Sequence, residues 1–111
     1  MTPGSAEAPW TTVRCVFRSV SGDEFVYEER LTLWQADSLD EAITLAEADA
    51  HHYATEVDVE YLGLAQAYGL PGPPASGAEV YSLMRESELS ADDYLDRFFD
   101  TGRERQSHWN E

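Results

Sequence analysis

The sequence predicts an α+β fold: a four-stranded, mostly antiparallel sheet in the order ββαββα, with one long helix packed on one sheet face. Three observations carry that prediction. Apolar residues alternate with others at Val13, Cys15 and Phe17, and again at Val57, Val59 and Tyr61, which is the period of a half-buried strand. Between these stretches Ser38-Leu39-Asp40-Glu41 forms a capping box, and the residues after it repeat their apolar character at helical spacing. Turn residues punctuate the rest, at Ser21-Gly22-Asp23 and through residues 69–77. A chain of 111 residues has the length of one domain and buries enough surface for a single core.

Taken in order, residues 1–10 are small, polar and Pro/Gly-containing and read as a disordered N-terminal tail. Residues 11–100 read as the single α+β domain, and residues 101–111 as a polar C-terminal tail broken only by Trp109. The first strand covers residues 11–20. Ser21-Gly22-Asp23 has the length and composition that close a hairpin. The second strand covers about 24–36, with Phe25, Tyr27, Leu31 and Leu33 on one face and Glu29 as the misfit among them. A bulge near Glu28-Glu29-Arg30 would turn that acid outward. The helix follows, its apolar stripe formed by Leu39, Ala42, Ile43, Ala46, Ala50, Tyr53 and Ala54. A third strand spans about 57–68, and the change of apolar phase at Leu62 and Leu64 predicts a bulge or bend near Gly63. Residues 69–77 form a loop, because three prolines cannot donate to a sheet ladder. A fourth strand at about 79–86 and a second helix beginning at Ser90-Ala91-Asp92-Asp93 complete the order, with Tyr94, Leu95 and Phe98 as that helix's apolar side.

Charge is the outlier of the composition. Twenty-two acids face seven arginines and no lysine, for a net charge of -15. Such a field repels nucleic-acid phosphate and anionic lipid, so neither nucleic acid nor a membrane surface is the expected partner, and a basic protein is. Cys15 is the single cysteine, which excludes an intrachain disulfide. The first nine residues have neither a basic n-region nor an apolar h-region, and no apolar run is long enough to span a bilayer. The expected compartment is the cytoplasm.

Three stretches resemble a bacterial family numbered 4288 among the domains of unknown function. They are Tyr27-Glu28-Glu29 leading into Leu31-Thr32-Leu33-Trp34-Gln35-Ala36, the helix start Ser38-Leu39-Asp40-Glu41-Ala42, and Gly77-Ala78-Glu79-Val80-Tyr81-Ser82. The resemblance covers most of the region from Val13 to Glu86. It implies a compact ββαββ unit and carries no activity.

No constellation with the spacing of a catalytic or metal site is present. His51 and His52 are adjacent, and neighbouring helical residues point about 100° apart, so they cannot grip one ion from one face. Cys15 alternates with Val13 and Phe17 and reads as a small core residue rather than a nucleophile. The sequence has no G-x-S-x-G, C-x-x-C, phosphate-loop or dinucleotide fingerprint. No cofactor is expected. The candidate partner-binding residues are the acids Glu28, Glu29, Asp58 and Glu60 on two strands, with Trp34 and Tyr61 as aromatic anchors if exposed. Residues 23–60 hold twelve acids and one base, Arg30, a field of the kind that speeds encounter with a basic protein. The expectation is therefore a non-enzymatic acidic interaction protein, of the inhibitor or immunity type. One alternative is a small accessory enzyme or ligand-binding domain with a pocket between helix and sheet, using Glu29, Tyr27, Tyr81 or a histidine. The other is a homo-oligomerisation domain, a homodimer formed through an uncovered sheet face or edge.

Overall fold

The computed structural model describes residues 8–106. Strands β1 (Trp10–Ser21) and β2 (Glu24–Gln35) form a hairpin, α1 (Leu39–Val57) crosses behind it, β3 (Glu60–Gly69) returns, and a short helix α2 (Ala91–Phe98) lies near the C-terminal end. The sheet has three strands in the order β2-β1-β3, both pairings antiparallel. Among the described residues no helix is long and apolar enough to cross a membrane.

The hairpin follows from its turn. Ser21 pairs with Glu24, leaving Gly22 and Asp23 as a two-residue connection, and Gly22 supplies φ +62°, the positive angle such a turn needs at its first position. Pairing then runs without interruption to Trp10 and Gln35. The bulge expected near Glu28-Glu29-Arg30 is therefore absent. Glu29 stays in phase with Tyr27 and Leu31 because Arg14, on the adjacent strand, meets its carboxylate at 3.2 Å. The irregularity lies instead between β1 and β3, where the register shifts between Cys15 and Phe17. There Gly63 takes φ +83°, near the point where the apolar phase of the sequence changes.

Helix α1 opens on the capping box. Ser38 Oγ accepts from the Glu41 amide at 3.0 Å, and the Glu41 carboxylate accepts from the Asp37 amide at 2.7 Å. It ends at Asp58, which adopts the left-handed conformation (φ 60°, ψ 55°) and returns its N–H to the Ala54 carbonyl. Val57 thus belongs to the helix, and the third strand starts three residues later than the alternation of Val57 and Val59 predicts. Ala42, Ala46 and Ala50, one helical turn apart, are fully buried on Val13, Cys15 and Phe17 of β1. Alanines let the two layers approach closely and leave a thin core, in which Phe17 is the largest fully buried side chain. Its burial contributes roughly 1.5–3 kcal/mol.

The predicted fourth strand does not form, which reduces the predicted four-stranded sheet to three. After β3 the Leu70 amide bonds the Trp10 carbonyl at 2.9 Å, and the stretch containing Pro71, Pro73 and Pro74 turns the chain over the sheet rather than back along the edge of β3. Residues 79–81 are then held by side chains instead of a backbone ladder. Thr12 donates its hydroxyl to the Val80 carbonyl, Tyr68 donates to Glu79, and the rings of Tyr68 and Tyr81 lie 5.9 Å apart. At the other end of the domain, residues predicted as tail are structured. Ala8 is buried, and the Pro9 carbonyl accepts from the Ala36 amide at 3.0 Å. Residues 1–7 of the expected N-terminal tail and 107–111 of the C-terminal one, His108 and Trp109 included, lie outside the described residues.

Candidate interaction surface

The register determines which side chains share a face. Val13, Cys15 and Phe17 stand opposite Thr32, Arg30 and Glu28 of β2, so these look toward α1. Thr12, Arg14 and Arg18 stand opposite Leu33, Leu31 and Tyr27 and look away from it. The apolar phases of the two strands are thus out of step. β1 gives its apolar side to the helix, while β2 gives the helix a polar side and turns Phe25, Tyr27, Leu31 and Leu33 outward, 41–57% exposed. On β3, Leu62 and Leu64 are also exposed. The result is an open sheet face with a broad apolar surface, larger than scattered single residues would make it.

Two arginines on the central strand cross this face. Arg14 donates to Gln66 at 3.1 Å on one side and to Glu29 at 3.2 Å on the other, so it links β3 and β2 through β1. Arg18 reaches Glu60 at 2.8 Å, lies 4.4 Å from the Phe25 ring centre and shares a side-chain hydrogen bond with Tyr27. Tyr27 first, and Glu60 after it, hold the Arg18 guanidinium still more firmly in its charged form. Exposed pairs of this kind contribute about 0–1 kcal/mol each. Their larger effect is on local charge, because each arginine on the face is matched by a carboxylate.

The six residues singled out in the sequence do not form one surface. Glu29 and Glu60 lie on the open face, paired with Arg14 and Arg18. Glu28 lies on the helix side, where it accepts the Tyr53 hydroxyl at 2.7 Å. Trp34 is half-buried beside the core and gives its indole N–H to Thr32 Oγ1 at 2.7 Å. Tyr61 packs on Phe17 with ring centres 5.4 Å apart, and its hydroxyl donates to Glu47 at 2.7 Å. Asp58 is the exposed cap of α1. Arg14 and Arg18, which the sequence offers only as counter-charges for the strand acids, join the candidates on this face. Their signal was the second phase of β1, Arg14-Val16-Arg18, once the hairpin register is known.

The interior carries little chemistry. Burial, more than the nearby charges, pushes the Cys15 thiol upward, and its sulfur lies under the Tyr61 phenol. Burial and the Glu47 acceptor raise the Tyr61 phenol far above its usual range. Tyr53 is raised by burial and by Glu28. The two histidines diverge: His51 sits edge-on to Tyr61 at 5.2 Å, and His52 faces Glu56 at 3.5 Å. Among the described residues no three of His, Cys, Asp and Glu converge as metal ligands. A concavity of about 1520 Å³ wraps around the outer edge of β2 and is bounded by residues 102–106. It is a groove at a strand edge, and the space between helix and sheet is filled by Phe17, Cys15 and the three alanines.

Compared with known protein families, characterised proteins and solved structures, the chain finds no match.

Proposed function

We propose that this chain is a non-catalytic protein-interaction domain whose working surface is the open face of its sheet. One observation carries the reading: Phe25, Tyr27, Leu31, Leu33 and Leu64, each 41–57% exposed, share one face of a hydrogen-bonded three-stranded sheet. A thin core on one side and a broad apolar surface on the other is the anatomy of a layer that a partner completes. An enzyme of this size would need a concave site with convergent polar groups, and the groove along β2 opens to both sides of the sheet instead.

A basic protein partner, as for an inhibitor or immunity protein working in the cytoplasm, is the narrower version of this reading. It draws on the net charge of -15 and on Asp58, exposed at the end of α1. Against it, Glu29 and Glu60 already meet Arg14 and Arg18, so a cationic partner would have to displace both.

A photo-crosslinking amino acid placed at Leu31, in the full chain expressed in its own cells, tests the proposal. Position Ala48, exposed on α1, is the control. A discrete crosslinked species from Leu31, absent from Ala48, is the expected result. No product from Leu31, or the same pattern from both positions, overturns it.

A further inference from the structure

We infer that the occupant of the open face is a second copy of this chain, docked face to face about a two-fold axis. The inference rests on the proposal that this face is an interaction surface, and it adds the identity of the partner.

Charge selects the occupant. The chain carries -15, so two copies repel wherever acids face acids. The open face is the exception. Its two cations, Arg14 and Arg18, are matched by Glu29 and Glu60 at 3.2 and 2.8 Å, and the side chains on its β2 half, Phe25, Tyr27, Leu31 and Leu33, are apolar or neutral, the further acid Glu79 lying at the Tyr68 end. In a strongly acidic molecule this neutral patch is where a like-charged copy can approach. A two-fold contact also presents the same patch twice, so apolar surface meets apolar surface without a new complementary partner.

Area agrees with this choice. Phe25, Tyr27, Leu31, Leu33, Leu62 and Leu64 expose on the order of 500 Å² together, against about 800 Å² per partner in a stable interface. Neighbouring backbone and Val20, which is 72% exposed, bring the total close to that figure. Residues 79–81 cover the end of the face near Thr12 and Tyr68 and reach Arg14, whose guanidinium lies 5.2 Å from the Tyr81 ring centre, and residues 102–106 run beside the β2 edge, yet Phe25, Tyr27, Leu31 and Leu33 stay 41–57% exposed. Helix α2 does not fill the space, since its Cα atoms stay more than 8 Å from every strand and none of its residues is buried.

The arrangement has a salt dependence of definite sign. Apolar contact is insensitive to screening, while the repulsion between the acidic remainders falls as the Debye length shrinks from about 30 Å at 0.01 M to about 8 Å at 0.15 M. Association of two copies therefore strengthens with added salt. Capture of a basic protein through Glu29 and Glu60 would weaken over the same range.

Sedimentation velocity on the full chain, at roughly 5–200 μM and at low and moderate salt, reads this directly. The expected result is a species of twice 12.5 kDa whose share grows with concentration and with salt. Leu31→Glu should raise the dimer dissociation constant at least about tenfold, and Phe25→Ser serves as a second variant, both checked for folding by circular dichroism. Arg18→Glu should also dissociate the dimer, and adding Glu60→Arg should restore it by returning the face to neutrality. A monomer at every concentration and salt, a dimer unaffected by Leu31→Glu and Phe25→Ser, or a dimer that salt dissolves overturns the inference. If the chain is monomeric while Leu31 crosslinks to a different protein, the interaction reading stands and the second copy falls. If neither association nor crosslink is found, both fall.

Discussion

Tyr61 on β3 donates its hydroxyl to Glu47 on α1 at 2.7 Å, a bond that ties an outer strand to the helix across the thin layer of alanines. Tyr53 and Glu28 make the matching tie from α1 to β2, also at 2.7 Å. Each phenol stands in for bulk that the alanine-lined interface lacks. Tyr61→Phe keeps the packing on Phe17 and removes the hydroxyl's bond to Glu47 together with its contact to the Cys15 thiol, so it should cost about 1 kcal/mol or somewhat more. For a domain of this size that lowers the melting temperature by about 4–8 °C. An unchanged melting curve would mean that water replaces the bond without loss.

The same phenol sets the alkaline limit of the fold. In the folded chain Tyr61 holds its proton far above the ordinary range, first through burial and then through the Glu47 acceptor, while the unfolded chain ionises near pH 10. A group whose folded pKa is raised contributes stability that is present below the unfolded value and is lost as pH rises past it. Tyr53 shifts in the same direction. The urea midpoint should therefore begin to fall near pH 9, where the thiol of Cys15 ionises in the unfolded chain, and fall further above about pH 10, and Tyr61→Phe should make the decline above about pH 10 shallower. An equally steep decline in the variant would assign the effect to other groups.

Cys15, 4% exposed between β1 and α1, gives a direct probe of the helix–sheet contact. Burial raises its thiol, so both access and thiolate formation oppose reaction. A maleimide should modify the native chain at least about 10³-fold more slowly than the urea-unfolded chain. Tyr61→Phe should accelerate native labelling in proportion to its loss of stability. Rapid labelling of the native wild type would mean that α1 lifts from the sheet without global unfolding.

The strands, the capping box and the Gly63 irregularity were legible because each is a local property of consecutive residues. The open face was not, since it arises from the phase between two strands. Yet the information was present. A two-residue turn at Gly22-Asp23 pairs Ser21 with Glu24, which places Cys15 opposite Arg30 and Arg14 opposite Leu31. The apolar sides of β1 and β2 then point opposite ways. Placing a bulge at Glu28-Glu29-Arg30 hid this, because it treated Glu29 as a misfit to be expelled when Arg14 was its partner. The fourth strand failed for a different reason. Residues 79–86 have the composition of a strand, and what they lack is a turn that returns them to the edge of β3. The concentration of acids in residues 23–60 likewise concealed that Glu29 and Glu60 are matched by arginines of β1 on the sheet face.

Asp58 offers the last test, because at this position stability and function make opposite demands. It closes α1 in the left-handed region at φ 60°, where a side chain costs roughly 1 kcal/mol relative to glycine. It also places a negative charge at the negative end of the helix dipole, and the last turn contains no basic residue to offset it. Asp58→Asn keeps a residue tolerant of that conformation and removes the charge, for a gain of about 0.3–1 kcal/mol. Asp58→Gly should gain about 1 kcal/mol or more, and Asp58→Val should lose about 1–2 kcal/mol. Urea midpoints in the order Gly, Asn, Asp, Val check the account, and a loss of stability in Asp58→Gly would contradict it. The stabilised variants then separate the two kinds of partner. Capture of a basic protein through the acids expected to bind it would weaken in Asp58→Asn, although the fold is firmer. Association through the neutral face would survive, since one less acid per copy reduces the repulsion between them.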